Sequence, residues 1–246
     1  MKTSRIIIFS FIVFLVACVL VLFIYSEQHE EGKQKGLQSS TIDLPVFSVI
    51  VAESETLTFT IESGKTNQLI KKKSKDAQKE TLTYSIKDDT LYISETYDAR
   101  NPERSLIIRC TDIHTIIEKA NNEIRLNGFK TDSLVVYANS SSIIAGDGHG
   151  DRTGKKECSV KQFSFIGKNR SYLSMRNMTI GQMILRLDNS IANLHENKNA
   201  IKKASVVIEN NAEFKDEGNN ADIIQLDFKS DESSYYSLYK TKSVPK

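Results

Sequence analysis

Apolar and polar positions alternate in a unit that recurs six times along the second half of the chain. Each copy is a short apolar strand, a polar break centred on Asn, and a second apolar pair. The copies run Ile116-Ile117 to Asn121-Asn122 to Ile124 and Leu126, Leu134-Val135-Val136 to Asn139 to Ile143-Ile144, and Phe163, Phe165 and Ile166 to Asn169 to Tyr172-Leu173. They continue with Ile184-Leu185 to Asn189 to Ile191, Val206-Val207-Ile208 to Asn210-Asn211 to Phe214, and, more loosely, Leu226 and Phe228 to Asp231 to Tyr235-Tyr236. Short runs of Ile, Val and Phe bounded by Asn, Ser and Gly predict strands. Beyond the N-terminus no segment holds an i, i+3, i+4, i+7 pattern over three turns. The prolines, at 45, 102 and 245, all avoid the repeats, as strands paired on both sides require.

The breaks at Asn122, Asn139, Asn169, Asn189, Asn211 and Asp231 are spaced by 17, 30, 20, 22 and 20 residues. The long step holds the polar, Gly-rich stretch from Gly146 to Lys156, which reads as an insertion looped out of the repeat. Without it the period is about 20, in the range of stacked short repeats. A leucine-rich repeat is a poor match, because Leu185-x-Leu187-x-Asn189 places its Asn one position early. A parallel stack fits better, since Asn at each turn tolerates the left-handed backbone and its amide can ladder from copy to copy.

The pattern therefore predicts an all-β fold: a single-stranded right-handed parallel β-helix of about six regular rungs plus irregular N-terminal strands, behind one N-terminal transmembrane helix. The handedness follows from the usual sense of parallel crossovers. An antiparallel sandwich with chance spacing is the alternative architecture. Residues 47–109 are expected to form irregular first turns that cap one end. The segment through Tyr235-Tyr236 and the Lys-rich tail is expected to cap the other, since bare strand edges invite association.

Lys2 and Arg5 precede an apolar run from Ile6 to Ile24, broken only by Ser10 and Cys18, and Glu27, Glu30 and Glu31 follow it. As a helix the run would be about 28 Å long, near one hydrocarbon thickness. Positive charge before the run places the N-terminus in the cytoplasm and the rest outside. Two other readings stay open: a cleaved signal peptide, and a lipoprotein signal in which Leu15-Val16-Ala17-Cys18 serves as a lipobox. The continued apolar run Val19–Ile24 argues against lipidation at Cys18. The organisation expected is an anchor or signal segment at 1–25, a polar linker at 26–44 that holds the domain off the membrane, and an extracytoplasmic domain at 45–246.

Composition changes this picture little. The net charge of +2 on 246 residues provides no field for nucleic acid. Lys71-Lys72-Lys73-Ser74-Lys75 is read as a solvated loop between strands, with a polyanion patch as the alternative. Cys110 and Cys158 are read as buried thiols rather than a disulfide.

The chain carries little recognisable chemistry. Gly146-x-Gly148-x-Gly150 has its third glycine at the wrong offset for a dinucleotide fingerprint and no helical pattern after it, and Lys156 stands where a P-loop needs Ser or Thr. Asp147, His149 and Asp151 alternate, so an extended loop could turn all three toward a divalent cation; an exposed insertion explains them as well. His29, His114 and His195 share no motif with a nucleophile, and no G-x-S-x-G occurs. Asp188, Glu209 and Asp231 recur near the breaks, where polar turn residues are expected anyway. No catalytic, cofactor or metal residue is assigned, and no cofactor is implied.

From Phe47 to about Leu238 the chain resembles the putative auto-transporter adhesin head GIN domain family of Bacteroidetes. The matching order is Phe47-Ser-Val-Ile-Val51, Leu57-Thr-Phe-Thr-Ile61, Thr90-Leu91-Tyr92-Ile93 and Ser105-Leu-Ile-Ile108. The step Asp112-Ile113-His-Thr-Ile116 and the strand–Asn/Ser–apolar rungs follow. Asn139-Ser140 and Asn189-Ser190 stand where the family usually has a Gly-Ser step. The resemblance implies a right-handed β-helix outside the cytoplasm and transfers no catalytic residue. The expected role is a membrane-anchored binding or structural module of the bacterial cell envelope, adhesin-like, not an enzyme, with an envelope protein or glycan as ligand. A polysaccharide-active enzyme and an envelope sensor partner are the alternatives.

Overall fold

The computed structural model describes Val16, residues 18–20, and residues 37–53, 58–74, 81–96, 105–119, 121–146, 158–195, 199–217 and 222–237. The apolar run at 6–24 and most of the linker lie outside these residues; Val16 and residues 18–20 are helical. Among the described residues no helix is long and apolar enough to cross a membrane.

The domain is all-β. Its first seven strands are β1 (Leu37–Asp43), β2 (Val49–Ala52), β3 (Thr58–Ser63), β4 (Gln68–Ser74), β5 (Thr81–Lys87), β6 (Thr90–Thr96) and β7 (Ser105–Cys110). Six pairs follow. They are β8 (Thr115–Glu118) with β9 (Glu123–Asn127), β10 (Lys130–Asn139) with β11 (Ser142–Ala145), and β12 (Cys158–Lys168) with β13 (Tyr172–Met175). Then come β14 (Met178–Asp188) with β15 (Ile191–Leu194), β16 (Ala200–Glu209) with β17 (Glu213–Asp216), and β18 (Asp222–Ser230) with β19 (Tyr235–Ser237). These are the six repeats read in the sequence.

Among the described residues the strands form two mixed sheets. The nine-stranded sheet runs β18-β16-β14-β12-β10-β8-β2-β6-β5, and the ten-stranded sheet runs β1-β4-β7-β3-β9-β11-β13-β15-β17-β19. From β8 onward the two members of each pair go to opposite sheets. Each strand then pairs in parallel with the strand two further along, as Leu134 does with Phe163 and Phe163 with Met183. Inward residues from both sheets form one continuous core that includes Phe129, Phe163, Phe165 and Phe214, each almost wholly buried. Burying each such ring stabilises the fold by about 1.5–3 kcal/mol, so the apolar half of the repeat drives the stacking.

Two expectations change at the N-terminal end. Residues 47–109 do not simply precede the stack. Strands β2 and β3 sit inside it, paired in parallel with β8 and β9, while β6 and β7 lie beyond them. Chain order and spatial order therefore part company before β8. The cap consists of antiparallel strands, β5 on β6 and β1-β4-β7. Lys71, Lys72 and Lys73 are thus not a loop: they belong to β4, whose backbone is paired on both sides.

A second feature was not visible in the hydrophobic pattern. Each long strand carries a kink at the same level. Asp132, Lys161, Gly181, Lys202 and Ile224 drop out of the register, while their neighbours on both sides stay paired. At the kink two consecutive residues face outward, so the alternation reverses phase. In β14, Met178 and Ile180 point inward before it, and Met183, Leu185 and Leu187 after it. A glycine is required at 181 because a Cβ there would lie 2.6 Å from the Lys161 carbonyl oxygen of the adjacent strand.

Candidate binding face

The turn between the long and short strand of each pair sets the edge of the candidate site. Asn169, Asn189, Asn210 and Asn211 all adopt positive φ, between 46° and 62°. Asn is among the few residues that tolerate this region. In the earlier turn the left-handed residue is Ser140 rather than Asn139. The laddering is direct: Asn169 Nδ2 donates to Asn139 Oδ1 at 2.6 Å, and Asn210 Nδ2 donates to Asp188 Oδ1 at 2.9 Å. Just inside the turn a buried serine stack repeats the theme. Ser141 N–H donates to Ser171 Oγ at 3.4 Å and Ser171 N–H to Ser190 Oγ at 3.2 Å. The serine hydroxyls in turn donate to the carbonyls of Asn139, Lys168 and Asp188.

Outside this edge, the C-terminal ends of β12, β14 and β16 frame a groove of about 500 Å³. Register brings Ile166, Arg186 and Val207 into one row and Lys168, Asp188 and Glu209 into the next. Tyr137, 43% exposed, extends the first row beside Ile166. The groove thus offers an apolar floor, one aromatic ring at its margin, two cations and two carboxylates. Sequence reading picked out Asp188, Glu209 and Asp231. The structure brings the first two together and turns Asp231 into a turn fastener, accepting from the Asn210 N–H at 2.7 Å. Hydrogen bonds from Ser234 and Asn210 hold the Asp231 carboxyl below its ordinary range. Tyr137 and Arg186 were missed. They are outward residues separated by 49 positions, and only the parallel register aligns them.

The remaining sequence candidates fall elsewhere. Asp147, His149 and Asp151 lie outside the described residues, and among the described residues no cluster of His, Cys, Asp and Glu could hold a metal. His195 meets Glu217 at 2.8 Å and His114 meets Asp112 at 3.2 Å, both near the surface. Cys110 and Cys158 are buried thiols that form no disulfide. Burial, reinforced by the Asp112 charge, pushes the Cys110 thiol up to about 12.

One charged group is inside. Glu118, the last residue of β8, is 2% exposed and faces the core opposite Ala52. Ser141 approaches it closely enough to counter part of the burial effect, but neither carboxyl oxygen reaches hydrogen-bond geometry. Desolvation dominates and pushes the carboxyl up to about 8, which favours the neutral form near pH 7.

No family model matches the chain, and no curated protein matches it by sequence. Its fold does recur among solved structures. A "putative adhesin" from Parabacteroides distasonis is similar over 77% of this chain and 76% of its own, with 10% identity and a TM-score of 0.52. A "putative adhesin" from Bacteroides fragilis, 12% identical, is covered over 97% of its length by 82% of this chain, with a TM-score of 0.47. At such identities the likeness to the first establishes a shared fold and nothing finer.

Proposed function

We propose that this chain is a membrane-anchored, adhesin-like binding module of the bacterial cell envelope. Its six strand pairs are read as rungs of a right-handed parallel β-helix held outside the cytoplasm. The observation that carries the reading is the outer face of the nine-stranded sheet. There the register gathers Tyr137, Ile166, Arg186 and Val207 into one continuous row beside a charged groove. An aromatic ring next to paired charges suits a polar polymer such as an envelope glycan, which offers apolar sugar faces and hydrogen-bonding edges. The anchor is supported by the apolar run at 6–24 and by Val16, Val19 and Leu20, helical residues each more than half exposed. An exposed apolar helix is stable in lipid and costly in water.

The test is binding of the full chain, in detergent, to immobilised envelope polysaccharide. Tyr137→Ala and Arg186→Ala are each expected to weaken it about tenfold, the range of a buried aromatic or Arg contact. Binding that neither substitution alters would place the site elsewhere. A second reading, polysaccharide hydrolysis, is favoured by one observation: Asp188 and Glu209 are side by side in the groove. Saturable release of reducing ends, abolished by Glu209→Gln, would select it over simple binding.

A further inference from the structure

We propose that the β18–β19 end of the molecule is a docking surface for a second copy of this chain, giving a two-fold, end-to-end dimer. Strands β18 and β19 are the last strands of the two sheets, and among the described residues nothing pairs with their outer edges. Both edges therefore offer backbone donors and acceptors at the same end, one from each sheet. The core does not close there. Phe228 is half-buried, and Tyr236, which continues the inward row of Phe214, is 49% exposed.

The occupant follows from self-complementarity. A two-fold axis perpendicular to both sheets would pair each edge with its own copy, antiparallel, extending both sheets at once. Inward residues must meet inward residues across such a junction. For β18 this condition is met when Phe228 faces Phe228 of the second copy. Asp227 then stands opposite Lys229, twice, on the outer face, where both side chains are exposed. For β19 it is met when Tyr236 faces Tyr236. One axis has to serve both strands, so the two pairing centres must be neighbours, and the rings of Phe228 and Tyr236 lie with centroids 4.6 Å apart. Four aromatic rings would close around the axis and cover the open end. A partner of other chemistry would need two strand edges at the same spacing and a matching charge order, which this end already supplies to itself.

Sedimentation equilibrium of the full chain in detergent tests this. A concentration-dependent dimer is expected. Asp227→Lys and Lys229→Asp should each weaken it about tenfold through like-charge pairs, with unchanged circular dichroism because both sites are on the surface. Mixing the two variants should restore dimers, since every charge pair across the hetero-dimer is then opposite. A chain that stays monomeric at high concentration overturns the proposal, as does a dimer that neither reversal weakens or that mixing fails to restore. The assay reads the junction itself, so its outcome is independent of the anchor and of the glycan reading. If the anchor also holds, the chain enters the fold at β1, at the opposite end of its sheet from β19. Such dimers would then link two membranes.

Discussion

Glu118 and Gly146 show how much a single position can constrain this fold. Glu118 is buried neutral, its carboxyl raised from 4.5 to about 8. Between those two values the unfolded chain releases its proton while the folded chain keeps it. Stability is therefore expected to fall as pH rises from about 4.5 to about 8, and to level off above that. Glu118→Gln removes the titrating group while keeping the shape, so urea midpoints measured from pH 5 to 9 should lose most of that slope. At pH 8.5 the variant should be more stable by a few kcal/mol, on the order of the pKa difference. A wild-type profile that is flat or rises with pH would show that the carboxyl is solvated. Gly146 has φ +92°, and a Cβ there would lie 1.5 Å from the carbonyl oxygen of Arg176, just after β13 in the next strand pair. Gly146→Ala is expected to cost about 2–4 kcal/mol, read as a lowered denaturation midpoint. The turn asparagines are milder cases. Asn189→Gly should be near neutral and Asn189→Ala should cost about 1 kcal/mol, because alanine pays the left-handed penalty without a side-chain amide to offset it.

At the level of elements, the repeat unit was legible because its apolar positions obey a period of two and its turns are spelled in Asn and Ser. What sequence reading missed was the first half of each long strand. The kink reverses the alternation, so Cys158 and Val160 point inward out of phase with Phe163 and Phe165. In the sequence the kink shows as the pairs Asp132-Ser133, Lys161-Gln162, Gly181-Gln182 and Lys202-Lys203, and in β18 the pair Ile224-Gln225 hides it. The Gly-rich insertion falls between strands: β11 ends at Ala145 and β12 begins at Cys158. In register, Ala145 pairs with Met175 and Cys158 with Met178, and only residues 176 and 177 join those two partners. A two-residue connection copied from that turn should therefore replace 146–157 with little loss of thermal stability, since shortening a loop changes closure entropy only slowly. A large loss of melting temperature would show that the insertion packs on the fold.

For the whole molecule, stability should be graded along the stack. Strands β12, β14 and β16 have long paired neighbours on both sides, whereas β5 and β18 are sheet edges. Amide exchange is expected to be slowest in the former and to approach local-opening rates in the latter. If association covers β18 as proposed, its amides should slow as protein concentration rises. The sequence by itself determined that the domain is all-β, that its second half is a stack of six similar units, and where the units turn. Those properties are local: alternation, turn chemistry and spacing act within about twenty residues. The tertiary structure alone decided the order of strands before β8, where β6 and β7 pass outside β2 and β3. It alone aligned Tyr137, Ile166, Arg186 and Val207 into one row. Both depend on which strands become neighbours, and pairing partners far apart in sequence are chosen by packing and register rather than by any pattern the chain carries locally.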